Sequence, residues 1–196
     1  MTQQLIREIE GINRKAQREI AALKHEDKLL WWLDNRTVYQ MQHDASVRIA
    51  MLAPLRPNYQ ADVSSIEKFV VTYEIVSSQI NIRLSSDRES SKAVQLLGNQ
   101  LSEFYIATST SKRKNQTHIL KVDSERRRNK VGDAFISTLV SSIKVVNMNS
   151  KTVSRSEIIS TGNSVTNYKY ADEGAARHFD EQVKEQGIWT ALGLIK

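Results

Sequence analysis

The sequence predicts an α+β protein: an N-terminal helical arm of two helices, followed by a mixed domain with a mostly antiparallel sheet. Apolar residues first recur with helical spacing, from Leu5 to Leu23. Two prolines, Pro54 and Pro57, then end the helical pattern because proline lacks the amide donor. Beyond them the pattern changes to strand-like alternation. We therefore expect the arm at 1–53, a linker at 54–62, an α+β body at 63–170, and a C-terminal helix with an apolar tail at 171–196.

The composition excludes several classes of protein. The 196 residues contain no cysteine, so the chain has neither disulfides nor thiolate metal sites. No run of 18 or more apolar residues occurs, so we expect no transmembrane helix. The first residues lack the apolar core of a signal peptide, and we expect a cytoplasmic protein or one within a virion.

The arm is predicted to contain two helices, at 2–24 and 27–52. The first is amphipathic, with cations opposite its apolar stripe. In the second, adjacent tryptophans diverge by about 100°, so both are buried only if the helix is covered on two sides. Burial in the protein's own core is the favoured interpretation, and contact with a second copy is the alternative. The candidate interface residues are Ile9, Ile12, Trp31, Trp32 and Trp189.

The elements of the body are predicted from the alternation of apolar and polar residues and from one helix-capping motif. Ser86 and Glu89 have the spacing of a capping box, which predicts a helix over 86–104. Segment 125–141 fits both a helix and a strand, and helix is slightly favoured. The strands are predicted at 68–75, 80–84, 104–108, 117–122, 143–148 and 153–160.

Two features complete the body's predicted topology. Strands 104–108 and 117–122 would form a hairpin with a basic tip. With a helix at 125–141, the order of elements matches the split β-α-β arrangement of ferredoxin-like folds. Further along, Thr161-Gly162-Asn163 is predicted as a turn. Gly187 is placed to end a helix over 172–186.

The net charge of +6 equals the charge of one stretch, 112–130, which has eight basic and two acidic residues. A local surplus of cations favours a phosphate backbone as partner, and RNA more than DNA. Tyr105 is close enough in the chain to stack on a base. The candidate nucleic-acid-binding residues are Lys112, Arg113, Lys114, Lys121, Arg126, Arg127, Arg128, Lys130 and Tyr105.

The functional hypothesis is a non-enzymatic, self-associating, nucleocapsid-like or virion-associated protein. The alternative is a structural or adaptor subunit whose basic loop contacts acidic protein. Peripheral membrane contact ranks lower, because no apolar wedge or lipidation motif accompanies the cations. The four histidines are scattered, and neither metal spacing nor a nucleotide-binding motif occurs. We therefore expect no metal, no cofactor and no catalytic residue.

Overall fold

The computed structural model describes residues 1–195, which form two compact units, 1–79 and 80–195. It confirms the predicted α+β class. Within those residues, seven helices accompany one five-stranded mixed sheet, and the N-terminal helices precede the sheet. The helical unit extends to Gln79, beyond the predicted end of the arm at residue 53, because a further helix follows the linker.

The helical unit contains α1 (Thr2–Ala22), α2 (Lys28–Asp34), α3 (Val38–Leu52) and α4 (Ser64–Gln79). The stripe of α1 buries Leu5, Ile6 and Ile9 against Leu52. The predicted second helix is two helices, α2 and α3. It breaks at Asn35, whose side-chain amide donates to the carbonyl oxygen of Trp31 over 2.8 Å.

The predicted strand at 68–75 is wrong, because this segment lies within helix α4. Its buried residues are spaced by three and four: Ile66, Phe69, Tyr73 and Val76. A strand with every second side chain buried would also have buried Val71 and Ile75, which are 53% and 51% exposed. A side chain of α1 caps helix α4, since the side-chain oxygen Oδ1 of Asn13 accepts hydrogen bonds from the backbone amides of Ser65 and Ile66.

The sheet unit contains β1 (Asn81–Ser86), α5 (Ser91–Glu103), β2 (Ala107–Ser109), β3 (His118–Val131), β4 (Ala134–Asn147), β5 (Thr152–Ser164), α6 (Tyr168–Gln186) and α7 (Ile188–Ala191). Its strand order is β2-β1-β3-β4-β5. β1 pairs in parallel with β2 and β3, and β3, β4 and β5 are antiparallel. The predicted hairpin of the two short strands is therefore wrong, because β1 lies between them.

The helix predicted over 125–141 is also wrong, because the segment forms the second half of β3 and the first half of β4. Gly132, with φ +59°, lies in the tight turn between them. The order of elements is β-α-β-β-β-β-α-α, which departs from the split β-α-β pattern at this segment. The strands predicted at 143–148 and 153–160 are confirmed as parts of β4 and β5.

Helices α5 and α6 pack on one face of the sheet, which we call the helix face. Gly162 brings α6 close: a Cβ there would lie 2.1 Å from the Ala171 carbonyl oxygen. The turn predicted at 161–163 is thus a strand, and its glycine serves helix packing. α6 ends at Gly187 (φ +79°), as predicted, and the apolar tail follows it. The Ser154 hydroxyl donates to the Leu192 carbonyl oxygen, which holds the tail on β5.

Candidate functional site: a charged cleft and an open sheet face

The basic stretch is divided between the two faces of the sheet. Successive residues of a strand point to opposite faces, so the even-numbered and the odd-numbered cations of β3 lie on opposite faces of the sheet. Arg126, Arg128 and Lys130 lie on the helix face, where Lys130 contacts the Phe135 ring at 4.9 Å. Lys121 and Arg127 lie on the opposite face, which we call the open face. The eight cations therefore do not form one surface.

The remaining predicted residues lie outside the strands. Lys112, Arg113 and Lys114 are exposed in the loop that joins β2 to β3. Tyr105 follows α5 and is 97% exposed, with the left-handed φ of 60°. A base could reach this ring, but the ring belongs to a different connection from the arginines.

On the helix face, one carboxylate holds two arginines. Asp172, in the first turns of α6, lies 3.0 Å from Nη1 of Arg126 and 2.6 Å from Nη2 of Arg128. The fully buried Ser137 hydroxyl donates to the same carboxylate over 2.6 Å. Arg126 also donates from Nε to Glu89, before α5, over 3.0 Å. This cluster joins the sheet to both helices.

The cluster sets the ionisation of its central carboxyl group. Partial burial raises the pKa of Asp172, but the hydrogen bonds from Arg128 and Ser137 and the charges of Arg126 and Arg128 outweigh burial. The net pKa lies below the usual value for an aspartate. Asp172 is therefore ionised at neutral pH, accepts hydrogen bonds from Arg128 and forms an ion pair with Arg126.

Around this cluster, α5, α6 and the sheet enclose a cleft of about 350 Å³. Its charged walls contain five cations, Arg88, Lys92, Arg126, Arg128 and Lys169. They also contain three acids, Glu89, Asp172 and Glu173. Its apolar lining includes Leu96, Leu139 and Phe179. The cleft thus combines a surplus of positive charge with an apolar floor.

The open face of β3, β4 and β5 has its own pattern, given by the strand register. One cross-strand row contains only cations, Lys121, Lys144 and Arg155. The next row is acidic, with Asp123, Ser142 and Glu157. The third contains Glu125, Val140 and Ile159, and the fourth contains Arg127, Thr138 and Thr161. Ile159 is 53% exposed, so these rows are not covered by the helices.

The predicted interface residues of the helical unit are mostly core residues. Ile9 is 1% exposed and Ile12 is half-buried. Trp31 is fully buried, and its indole donates to the Glu19 carbonyl oxygen over 2.7 Å. Trp32 is 6% exposed and stacks on Tyr73. Since a second copy cannot reach a fully buried indole, Trp31 belongs to the core.

Trp189, the predicted interface residue of the sheet unit, is 5% exposed. Its ring contacts Phe104 edge to face, with centroids 5.2 Å apart. Both partners belong to the sheet unit. The side chain therefore helps to dock the apolar tail within that unit.

Sequence reasoning missed the acidic members of the cleft, Glu89 and Asp172, and the cations Arg88, Lys92 and Lys169. The Arg126-x-Arg128 spacing would have placed two guanidinium groups on one face if 125–131 had been predicted as strand. Nothing in the sequence marks Asp172 as their partner, because it lies 44 residues from Arg128. Among residues 1–195, no group of three or more metal-ligating side chains occurs.

Comparison with known proteins gives similarity of part of the chain only. No family model and no curated protein matches the sequence. A minor lipoprotein from Acinetobacter baumannii is 10% identical with a TM-score of 0.43, over 57% of this chain and 90% of that one. Lipoprotein GNA1162 from Neisseria meningitidis is 12% identical with a TM-score of 0.39, over 55% and 96%.

The PelC dodecamer from Paraburkholderia phytofirmans is a third similar structure. It is 11% identical with a TM-score of 0.37, over 53% of this chain and 85% of that one. With TM-scores below 0.5, these similarities transfer no function to this chain.

The prediction of a nucleic-acid-binding, nucleocapsid-like or viral protein is wrong. The cations on which it depended lie on two faces and a loop. Asp172 and Glu89 bind the helix-face arginines, and Glu125 binds Arg127 over 2.9 Å. No helix in the described chain combines the length and apolarity needed to cross a membrane.

Proposed function

We propose that this chain is a non-catalytic protein that associates with a second copy of itself through the open face of its sheet. The observation that carries this proposal is the self-complementary order of the rows on that face. In this proposal two copies pack face to face about a two-fold axis that runs along the Glu125–Val140–Ile159 row. This row then faces the same row of the second copy, and each row on one side of the axis faces the row at the same distance on the other side.

This arrangement places apolar groups at the centre and opposite charges beside it. Glu125, Val140 and Ile159 meet the same residues of the second copy on the axis, where each Glu125 charge is offset by the ion pair with Arg127 of its own copy. One row away, about 7 Å along the strand, Asp123 lies opposite Arg127 of the second copy. Packed sheets are about 10 Å apart, which long arginine and aspartate side chains bridge together.

The position of the axis is limited by burial. An axis between the cationic and the acidic rows would pair more charges. It would also require the second copy to cover the row of Val146, which is only 4% exposed. The exposed rows begin at Lys121, Lys144 and Arg155, so the axis through Ile159 is the one that stays on accessible surface.

The size of the face sets the expected strength. Five rows on three strands, the four described above and the row of Asn129, Ile136 and Asn163, cover roughly 500 Å², from the spacing of strands and residues. Stable complexes bury about 800 Å² per partner, so we expect a weak dimer whose population depends on concentration. Sedimentation velocity over a concentration series measures this directly.

The test is a charge exchange across the proposed axis. Asp123→Arg and Arg127→Asp each place like charges opposite one another, and each should weaken association about tenfold. The double variant restores the opposite charges and should recover the dimer. Ile159→Arg should give a monomer at every concentration.

The matched control is Arg113→Asp, which makes the same charge change as Arg127→Asp in the exposed loop before β3. It should leave association unchanged. If the double variant stays as weak as the single ones, or if Ile159→Arg still dimerises, the open face is not the interface.

A further inference from the structure

The cleft on the helix face has the chemistry of a ligand site, and no part of the proposed dimer uses it. It lies between the first turns of α5 and α6 and the helix face of β3 and β4. Its volume of about 350 Å³ is at the lower end of the range for small-molecule sites. The size therefore fits a small ligand rather than a folded partner.

Three of its cations have no internal carboxylate partner. Among residues 1–195, Arg88, Lys92 and Lys169 form no ion pair, and all three are exposed. Arg126 and Arg128, in contrast, are held by Glu89 and Asp172. The unpaired cations are the groups that a ligand's negative charge would meet first.

The paired arginines add a second, more rigid contact. Arg128 is fixed by Asp172 at 2.6 Å, yet its side chain is 51% exposed. Its remaining N–H groups can donate to a further acceptor, because a guanidinium group carries five donors. Arg126, at 17% exposure, is too deeply held to leave its carboxylates.

The floor of the cleft is apolar. Leu96 and Ala176 are half-buried beside the fully buried Phe179. Removing the exposed parts of Leu96 and Ala176 from water favours a ligand with an apolar body. A small inorganic anion would leave the floor wet, and a neutral hydrocarbon would leave the cations unmatched.

We propose that the cleft binds a small amphipathic anion: a short apolar chain carrying one terminal carboxylate or phosphate. The anionic group lies among Lys92, Lys169 and Arg128, and the chain lies over Leu96 and Ala176. The acids Glu89, Asp172 and Glu173 limit the charge the site accepts, which favours a single anionic group over a polyanion.

Isothermal titration calorimetry on the full chain tests this with four probes: decanoate, decyl phosphate, decanol and inorganic phosphate. We expect saturable binding of decanoate or decyl phosphate that weakens in high salt. Whichever of the two binds more tightly identifies the anionic group. Decanol and inorganic phosphate should bind at least about tenfold more weakly, since each lacks one half of the contact.

Two variants locate the site. Lys92→Glu with Lys169→Glu should reduce the affinity for the tighter probe about tenfold or more. The matched control, Lys112→Glu with Lys114→Glu, makes the same charge change in the loop before β3 and should keep the affinity within about twofold. Ala176→Phe should fill the cleft and abolish binding while the free energy of unfolding confirms that the chain is folded.

Three results would overturn the proposal. They are equal binding of decanol and decanoate, equal effects of the cleft and loop variants, or no saturable binding of any probe. Because none of these variants lies on the open face, sedimentation velocity should show the same association for all of them. Failure of the dimer would therefore leave the result on the cleft intact.

Discussion

The helix face of β3, β4 and β5 carries three charged side chains and the open face carries seven, and the two faces use them differently. On the helix face, Arg126 and Arg128 are fixed by Asp172 and Glu89. On the open face, Lys121, Lys144 and Arg155 form a row in which, within the described residues, no ion pair occurs. The comparison teaches that burial, rather than the number of charges, decides whether a charge stabilises the fold or remains accessible to a partner.

The strongest test of this comparison uses two neighbouring residues that point to opposite faces. Gly162→Ala should destabilise the protein by about 3 kcal/mol, because the added Cβ would lie 2.1 Å from the Ala171 carbonyl oxygen and would push α6 off the sheet. Urea unfolding at neutral pH measures the change in the free energy of unfolding.

Asn163→Ala is the control, since the preceding glycine faces α6 and Asn163 lies exposed on the open face. This substitution should change the free energy of unfolding by no more than about 0.5 kcal/mol. Equal effects at 162 and 163 would mean that α6 does not depend on close contact with β5.

A smaller effect is expected from the central carboxylate of the cleft. Asp172→Asn removes the charge that Arg126 and Arg128 share and should cost about 2 kcal/mol in free energy of unfolding. Asp123→Asn, the same substitution on the open face, should cost less than about 0.5 kcal/mol.

The same pair of variants has a predicted pH dependence. The pKa of Asp172 is lowered in the folded state, so its contribution is present above the unfolded pKa and is lost as the pH falls through the folded pKa. Unfolding curves from neutral to acidic pH should therefore converge for the wild type and Asp172→Asn. A constant difference down to the lowest pH would contradict this assignment.

The smallest effect is expected on the open face itself. Glu125 binds Arg127 through two hydrogen bonds of 2.9 and 3.1 Å, and these lower the pKa of Glu125. Both side chains are about two-thirds exposed, so Glu125→Gln should leave the free energy of unfolding almost unchanged. Thermal unfolding at low and high salt measures it, and any cost should vanish at high salt.

The sequence was sufficient to predict an element where its residue pattern fits only one type of secondary structure. The α1 stripe, the end of α6 at Gly187 and the pair of strands around Asn149 were predicted correctly. Segment 125–141 was not, because Val131, Phe135, Leu139 and Ile143 are spaced by four. A spacing of four is two strand repeats and also about one helical turn, so it cannot distinguish the two.

The cleft lay beyond sequence reasoning for a different reason. Arg126 and Arg128 were found from local charge, but their direction depended on the strand assignment, and their partner Asp172 comes from a helix far along the chain. Tertiary packing of α6 on β5, which Gly162 permits, is what brings these residues together. The wrong prediction of a helix over 125–141 also led to the wrong prediction that the cations form one surface.

The positions of the three tryptophans have a practical consequence. Trp31 and Trp32 lie in the helical unit, and Trp189 is the indole of the sheet unit. Replacing Trp189 with phenylalanine would leave an emission spectrum that reports on residues 1–79 alone. The reverse replacement of the adjacent pair would make fluorescence specific for residues 80–196. The chain thus carries a separate optical reporter for each unit, and denaturant titrations can establish whether the two unfold together.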